Sequence, residues 1–304
     1  MSRPGPVATP RPGEPGATQT AGARAGETVA ATPRTALVER SRAAAAARRR
    51  RDLAFEWVVR LGSLLVVLVI WEMYGRNVNK ALFAPPSAVV LAALEMIRSG
   101  ELWSYLRGSL QVLVIGFLIA LVIGIPLGVA IARSWLVRYA LDWYVDAFNS
   151  TPNVALVPLI TLIFGFDVTA KVIVVVLSSV FAVIVNTQQG VLNVDRRLLE
   201  VAQSFRSSER QLWGDVVIPS ALPYIAAGLR LAVGRALVGM VVAEFFTSIT
   251  GVGYLIVRYS NSFEPDHLLV PIVVVMALGI VLTSITRWIE KRIAPWTAQA
   301  SREE

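Results

Sequence analysis

The sequence predicts an all-α polytopic membrane protein with about six transmembrane helices. Three observations predict it. Of 304 residues, 55% are hydrophobic and only 16% are charged, where a soluble domain carries about a quarter charged residues. Several apolar runs reach the roughly 20 residues that a helix needs to cross a bilayer. Arginine and lysine gather at the ends of those runs, as basic residues do on the cytoplasmic side of a membrane. The formal net charge of +8 is therefore read as an orientation signal, with no nucleic-acid partner implied.

Residues 1–50 read as a basic N-terminal tail. Up to about residue 42 it is rich in Pro, Gly, Ala, Thr and Arg. Such a segment buries too little apolar surface to offset its ordering entropy, so disorder is expected. No apolar run with a cleavage site follows closely enough to make it a secretory signal. Residues 43–47 and then Arg48, Arg49, Arg50 and Arg51 begin a helix. Its arginines would sit at the cytoplasmic membrane face, within reach of anionic lipid. The membrane domain is expected over residues 51–295, and residues 296–304 form a C-terminal tail.

The first span covers about 53–74, with Trp57 and Trp71 suited to the two interfaces. An outside connection follows to about residue 107. Within it, Ala84-Pro85-Pro86-Ser87 looks like a helix start, because proline costs little in a first turn. Val89, Val90, Ala93, Leu94 and Ile97 then make an apolar stripe at helical spacing. Glu95, Arg98 and Glu101 keep that helix out of the bilayer. The second span covers about 109–132, and Arg133 and Arg138 mark an inside loop.

A third span, about 141–164, contains the polar break Asn149-Ser150-Thr151-Pro152-Asn153. Backbone freed by proline is tolerated at membrane depth only beside protein or a water-filled cavity. A fourth span covers about 168–188, and a fifth about 221–246, opening at Leu222-Pro223. The outside connection after residue 247 holds Gly251-Val252-Gly253 and Glu264-Pro265-Asp266-His267. The sixth span, about 268–288, ends in Arg287, Lys291 and Arg292. Positive charge before the first span sets the N-terminus inside, and six crossings return the C-terminus to the cytoplasm of a multi-pass plasma-membrane protein. Arg76, Lys80, Arg98 and Arg107 fall on the outer side against the trend.

Several chemistries are excluded or disfavoured. There is no cysteine, so disulfides and thiolate metal sites are absent. His267, the single histidine, cannot build a histidine-based metal site alone, and no metal site is expected. It lies at an outer span end, and a triad would need it placed against a serine, so it is read as an interfacial polar residue. The lysines are Lys80, Lys171 and Lys291. None follows glycine, so none is the lysine of a phosphate-binding loop.

The longest polar segment inside this apolar body is the loop 193–220. Spans flank it on both sides, and Arg196, Arg197, Arg206 and Arg210 agree with a cytoplasmic position. A charged helical piece held between spans is a handle for a cytoplasmic partner. The segment also resembles the signature loop of importer permeases of the ATP-binding-cassette class. That signature reads Glu-Ala-Ala, three residues, Gly, nine residues, Ile-x-Leu-Pro. Glu200, Val201 and Ala202 fill the first places, and Val216, Ile218 and Pro219 fall at the close. Arg206 stands at the glycine place. Glycine would ease a turn there through positive φ. With Arg206 two outcomes are open: a different turn, or a longer helix.

Between residues 71 and 288 the chain is similar to the nitrate/sulfonate/taurine branch of these permeases. The pieces that carry the likeness include Phe83-Ala-Pro-Pro-Ser87, Pro152-Asn-Val-Ala-Leu-Val-Pro-Leu159, Gly228-Leu-Arg230, Ala243-Glu244 and Gly251-Val-Gly253. Their order and spacing together are specific. The resemblance implies a permease subunit that catalyses no chemistry, with no cofactor of its own. ATP and magnesium would be bound by a separate ATPase subunit. It also implies a solute-binding protein outside and a second permease copy, most simply a homodimer. Asp195, Glu200, Ala202, Phe205, Arg206, Leu212, Trp213 and Pro219 would then form the ATPase-coupling surface, with Leu198 and Leu199 beside them.

Polar groups within spans are candidates for the translocation path. These are Asn149, Ser150, Thr151, Asn153, Asn186, Gln188, Arg235 and Glu244. Arg230 lies near the cytoplasmic end and is placed to snorkel. Arg235 lies deeper, and is expected either to line a cavity, where it would oppose an anion, or to pair with a structural acid or carbonyl. Gly234 and Gly239 would allow close helix contact. The cargo expected is a small anion such as an aliphatic sulfonate, taurine or nitrate. Another cargo on the same fold, and a passive channel or scaffold, are the rival readings.

Overall fold

The computed structural model describes residues 33–79, 81–247 and 250–294, and every regular element among them is helical. The chain divides at Leu64 into two compact units. Helix α1 (Pro33–Asn77) runs through the division. It begins well before residue 43, so the expected disorder is corrected for residues 33–42: Ala, Leu, Glu and Arg there are strong helix formers. The rest of that tail, and residues 295–304, lie outside the described residues. In the first unit Arg60 pairs with Glu56 one turn back at 3.5 Å and covers the Trp57 ring.

In the second unit, the last turns of α1 hold the start of the next helix. Trp71 Nε1 donates to the Ala84 carbonyl at 3.1 Å. Glu72 accepts from the Ser87 backbone N–H at 3.0 Å and from its hydroxyl at 2.7 Å. Helix α2 (Pro86–Arg98) is thus capped from α1, since Pro85 at its start has no side-chain donor or acceptor to offer. The buried stripe on α2 is Val89, Ala92 and Met96, while Val90, Leu94 and Ile97 are exposed. The expected stripe is therefore rotated. An apolar helix offers more than one stripe at helical spacing, and packing against Leu255, Tyr259 and Val270 selects this one.

Helices α3 (Glu101–Arg133) and α6 (Val168–Leu192) form the centre with α9 (Ile218–Thr247). Helix α6 is sandwiched between the other two. Close approach depends on small residues. A Cβ on Gly116 or Gly124 of α3 would come within 2.6 or 2.9 Å of Val175 or Val183 on α6. On the other side, one on Gly239 or Gly228 of α9 would meet Ser178 or Asn186 at 2.5 or 2.6 Å. Gly234 is different: nothing lies within 4 Å of its missing Cβ. The packing role expected of Gly234 is withdrawn, and that of Gly239 stands.

The polar break is a sharp bend. Helix α4 (Trp135–Ser150) stops at Thr151, which is extended at φ −74° and ψ 133°, as a residue before proline prefers. A 3₁₀ turn (Asn153–Leu156) leads into α5 (Val157–Phe164), and the two arms meet at 90°. Each arm is too short to cross a bilayer alone. Five helices among the described residues are long and apolar enough to span, and this bent pair makes a sixth if it counts as one.

After α6 come α7 (Arg196–Ser204) and α8 (Glu209–Gln211). A π turn (Leu212–Val217) joins α8 to α9, so one helical run extends from Glu209 to Thr247. The fifth span therefore begins earlier than the expected residue 221. The connection read as a loop after residue 247 contains α10 (Val252–Asn261), and α11 (Pro265–Ile293) closes the chain.

Candidate functional site

Two places gather the predicted side chains: the loop 193–220 and a cavity between α4, α5, α6 and α9. In the loop, Asp195 caps α7, its Oδ1 accepting from the Arg197 N–H at 2.9 Å. Ala202 is the buried residue of α7, while Glu200 and Phe205 face outward, Phe205 being 82% exposed. Arg206 then takes φ 53°. Its N–H reaches the Gln203 carbonyl at 2.9 Å, and the Ser207 N–H reaches the Ala202 carbonyl at 3.1 Å. This pair of bonds around a left-handed residue is the Schellman helix stop that glycine usually serves. Both outcomes expected of Arg206 are corrected: the chain neither turns differently nor stays helical, but turns there as a glycine would turn it. The left-handed conformation costs a side-chain-bearing residue about 1–2 kcal/mol.

Ser208 starts the next helix with a capping box, exchanging bonds with Gln211. Pro219 follows in the first turn of α9. A proline ring crowds the carbonyl four residues earlier, here that of Asp215, within the wider π turn. Leu212 and Trp213 are half-buried, and the Arg133 guanidinium covers the Trp213 ring at 5.1 Å. Arg133 also meets Glu209 at 2.8 Å, but both are exposed, so this ion pair adds little. The expected apolar anchor is thus divided. Leu198 and Phe205 are free to meet a partner, whereas Leu212 and Trp213 pack on the chain itself.

The cavity measures about 390 Å³. Asn149, Thr151, Asn153 and Arg235 line it, together with Ser178, Gly234 and a wall of Val and Leu residues. Among the described residues on its wall, Arg235 alone is charged. One guanidinium N–H donates to Asn149 Oδ1 at 2.7 Å. Guanidinium carries five N–H donors in all, so this single bond holds the group in place without exhausting it. The bend at Thr151–Pro152 is what brings the polar end of α4 onto this face of α9. Gly234, lacking a side chain, opens the space beside Arg235.

Four other candidates lie elsewhere. Ser150 is exposed outside the cavity. Asn186 donates to the Ala182 carbonyl on its own helix at 2.8 Å, and Gln188 donates to Asp142 at 2.9 Å. Glu244 is fully buried. Its Oε1 accepts from the Ser109 hydroxyl at 2.6 Å, and its Oε2 accepts from the Gly253 N–H at 2.7 Å. Lys171, also buried, donates to the carbonyl and hydroxyl of Thr250 at 2.9 and 2.8 Å. Arg230 pairs with Glu290 near the C-terminal end of α11. Ser109, Lys171 and Ser178 escaped sequence reasoning, because a serine or lysine in a span has no local signal that names its distant partner.

Comparison with known proteins decides the family. Residues 124–295 match the family described as binding-protein-dependent transport system inner membrane component. The chain belongs to that family. This permease is 32% identical over 244 residues to a Bacillus subtilis protein described as an aliphatic sulfonates transport permease, SsuC, covering 80% of this chain and 88% of that one. It is 30% identical over 233 residues to the formylaminopyrimidine transport permease ThiX of Halalkalibacterium halodurans, with 76% and 93% covered. The Escherichia coli taurine transport system permease TauC is 29% identical over 254 residues, with 81% and 92% covered. Among solved structures, the MetNI methionine transporter in an inward-facing conformation superposes with TM-score 0.52 at 16% identity, over 62% of this chain and 93% of that one. That likeness supports the importer permease fold. The protein is a transporter permease subunit of the inner membrane, and not an enzyme.

Proposed function

We propose that this permease forms the translocation path for a small anion, and that the 390 Å³ cavity is part of that path. The observation that carries the reading is Arg235. It is a cation held on an otherwise apolar wall by one neutral amide, and no carboxylate among the described residues lines that wall. Such a group answers a sulfonate or carboxylate by charge and by planar paired donors. The valine and leucine wall suits the short carbon body of an organic anion. Relatives named for aliphatic sulfonates and taurine support the same class.

The loop 193–220 faces the cytoplasm in this reading, and α10 faces outside. Exposed Glu200 and Phe205, with Leu198, dock into an ATPase subunit that binds ATP and magnesium. Each chain offers one such loop, so two copies serve two ATPases, and a solute-binding protein delivers cargo from outside. Closure of the ATPases is passed to the spans through residues 195–219.

The test is reconstitution with candidate ATPase and binding-protein subunits, followed by ATPase and uptake assays over a panel of anions. One or more organic anions should stimulate ATP hydrolysis. Arg235→Gln should lower their uptake by about tenfold to a hundredfold, the usual cost of deleting a half-buried charge. Full uptake by Arg235→Gln would remove the cavity from the path. Stimulation only by a neutral cargo, such as a formylaminopyrimidine, would overturn the choice of an anion.

A further inference from the structure

Helix α10 has no cap of its own. Its N-cap position is Gly251 at φ 107°, with no side chain to accept from the first N–H groups. A helix start leaves such donors orphaned unless something else accepts them. Here two other spans do so. The Val252 N–H donates to Ser109 Oγ of α3 at 2.8 Å, and the Gly253 N–H donates to Glu244 Oε2 of α9 at 2.7 Å. The Ser109 hydroxyl donates in turn to Glu244 Oε1. One carboxylate and one hydroxyl therefore join three helices. A carboxylate is also the favoured charge at a helix N-terminus.

Further along, α10 packs on α11 and α9 and makes polar and ring contacts with α3. Arg258 pairs with Glu101 of α3 at 2.8 Å, and the Tyr259 hydroxyl donates to the second Glu101 oxygen at 2.8 Å. The Tyr254 ring lies 5.7 Å from that of Tyr105. Glu101, Tyr105 and Ser109 are spaced by four residues and share one face of α3. Helix α10 is thus laid antiparallel along the outer turns of α3. The Glu244–Gly253 bond, with the Lys171–Thr250 bond beside it, is the buried polar tie from this pair to α9 and α6, and it adds to the packing of α10 on α9 and α11 and of α3 on α6. Glycine is required at 251: a Cβ there would overlap the Glu244 carboxylate.

We propose that Glu244, with Ser109, is a positioning residue for transport. It ties the start of α10 and the outer turns of α3 to α9 through one buried polar junction, and α9 is continuous with the segment that begins at Glu209 beside the cytoplasmic loop. The inference rests on the importer reading above. A binding protein that presses on α10 is then sensed at the ATPase through α9. If Glu244 is disconnected, the complex keeps its ATPase docking surface and loses the signal.

The experiment measures ATPase activity of the assembled complex, with and without cargo-loaded binding protein, for the native chain, Glu244→Gln, Ser109→Ala and Ser109→Thr. The native complex should be stimulated. Glu244→Gln and Ser109→Ala should assemble and keep basal ATPase activity, while stimulation and uptake fall by about tenfold, a typical allosteric coupling. Ser109→Thr, which keeps the hydroxyl, should restore much of the stimulation. Native stimulation in both disconnected variants overturns the proposal. So does loss of basal and stimulated activity in parallel, or failure of both variants to assemble, since each marks a role in folding alone. A native complex that no binding protein stimulates overturns the importer reading itself, and the proposal falls with it.

Discussion

The two ends of the helical run Glu209–Thr247 are built in opposite ways. At one end Glu244 is fully buried, both its carboxylate oxygens accept bonds, and glycines at 251 and 253 are pressed against it. At the other end Phe205 is 82% exposed, Arg206 is in a left-handed turn, and a π turn interrupts the α-helical pattern. A finished junction leaves no donor waiting. A junction that awaits another chain leaves apolar surface uncovered and tolerates local strain. The difference separates an end that completes itself within the chain from the end at which the proposed ATPase contact would form.

The most damaging change should fall at the finished end. Gly251→Ala forces a side chain into the Glu244 carboxylate and into a left-handed conformation. It should cost about 3 kcal/mol of stability, read as a drop in the melting temperature of the purified chain. An unshifted melting curve would show that this end can relax after all. A smaller and different effect is expected at the open end. Phe205→Ala should weaken ATPase binding by about 2 kcal/mol and leave the melting temperature of the chain alone. Trp213→Ala is its counterpart: stacked under Arg133 and half-buried, it should lower the melting temperature more than it lowers ATPase affinity. If the two substitutions behave alike, the division between exposed anchor and internal packing is wrong. The gentlest change is Arg206→Gly. It should raise stability by about 1 kcal/mol by relieving the left-handed turn. A loss of stability instead would mean that the Arg206 side chain makes a contact worth more than the strain.

Much of this architecture was legible in the sequence, and the reasons are local. Apolar length gave the long spans, because crossing a bilayer needs a fixed helical rise. Pro152 behind a run of polar residues announced the bend. The likeness of Glu200 to Pro219 to the signature loop pointed to a turn at its glycine place, and that turn survives with Arg206 there, against the expectation of a different turn or a longer helix. What stayed hidden depends on distant pairs. Glu244 stands 135 residues from Ser109, so a span glutamate looks the same whether it lines a path or caps another span's neighbour. The stripe of α2 was ambiguous because adjacent stripes on it are equally apolar. Helix α10 was missed because its start carries no capping side chain, the acceptors arriving instead from α3 and α9. Within the cavity, Asn149, Thr151, Asn153 and Arg235 were identified from their position in spans, but the room that Gly234 leaves beside them was not.

The continuity of the run from Glu209 to Thr247 has a mechanical consequence. Its 39 residues amount to about 58 Å of helix, well beyond the roughly 40–45 Å thickness of a bilayer with its headgroups. A rod of that length is a lever arm. Pivoted near its outer junction, a tilt of only about 10° would sweep the far tip through about 10 Å, by the length that helical rise gives it. Small angular changes at the buried carboxylate and large strokes at the cytoplasmic tip are then the same motion at two radii.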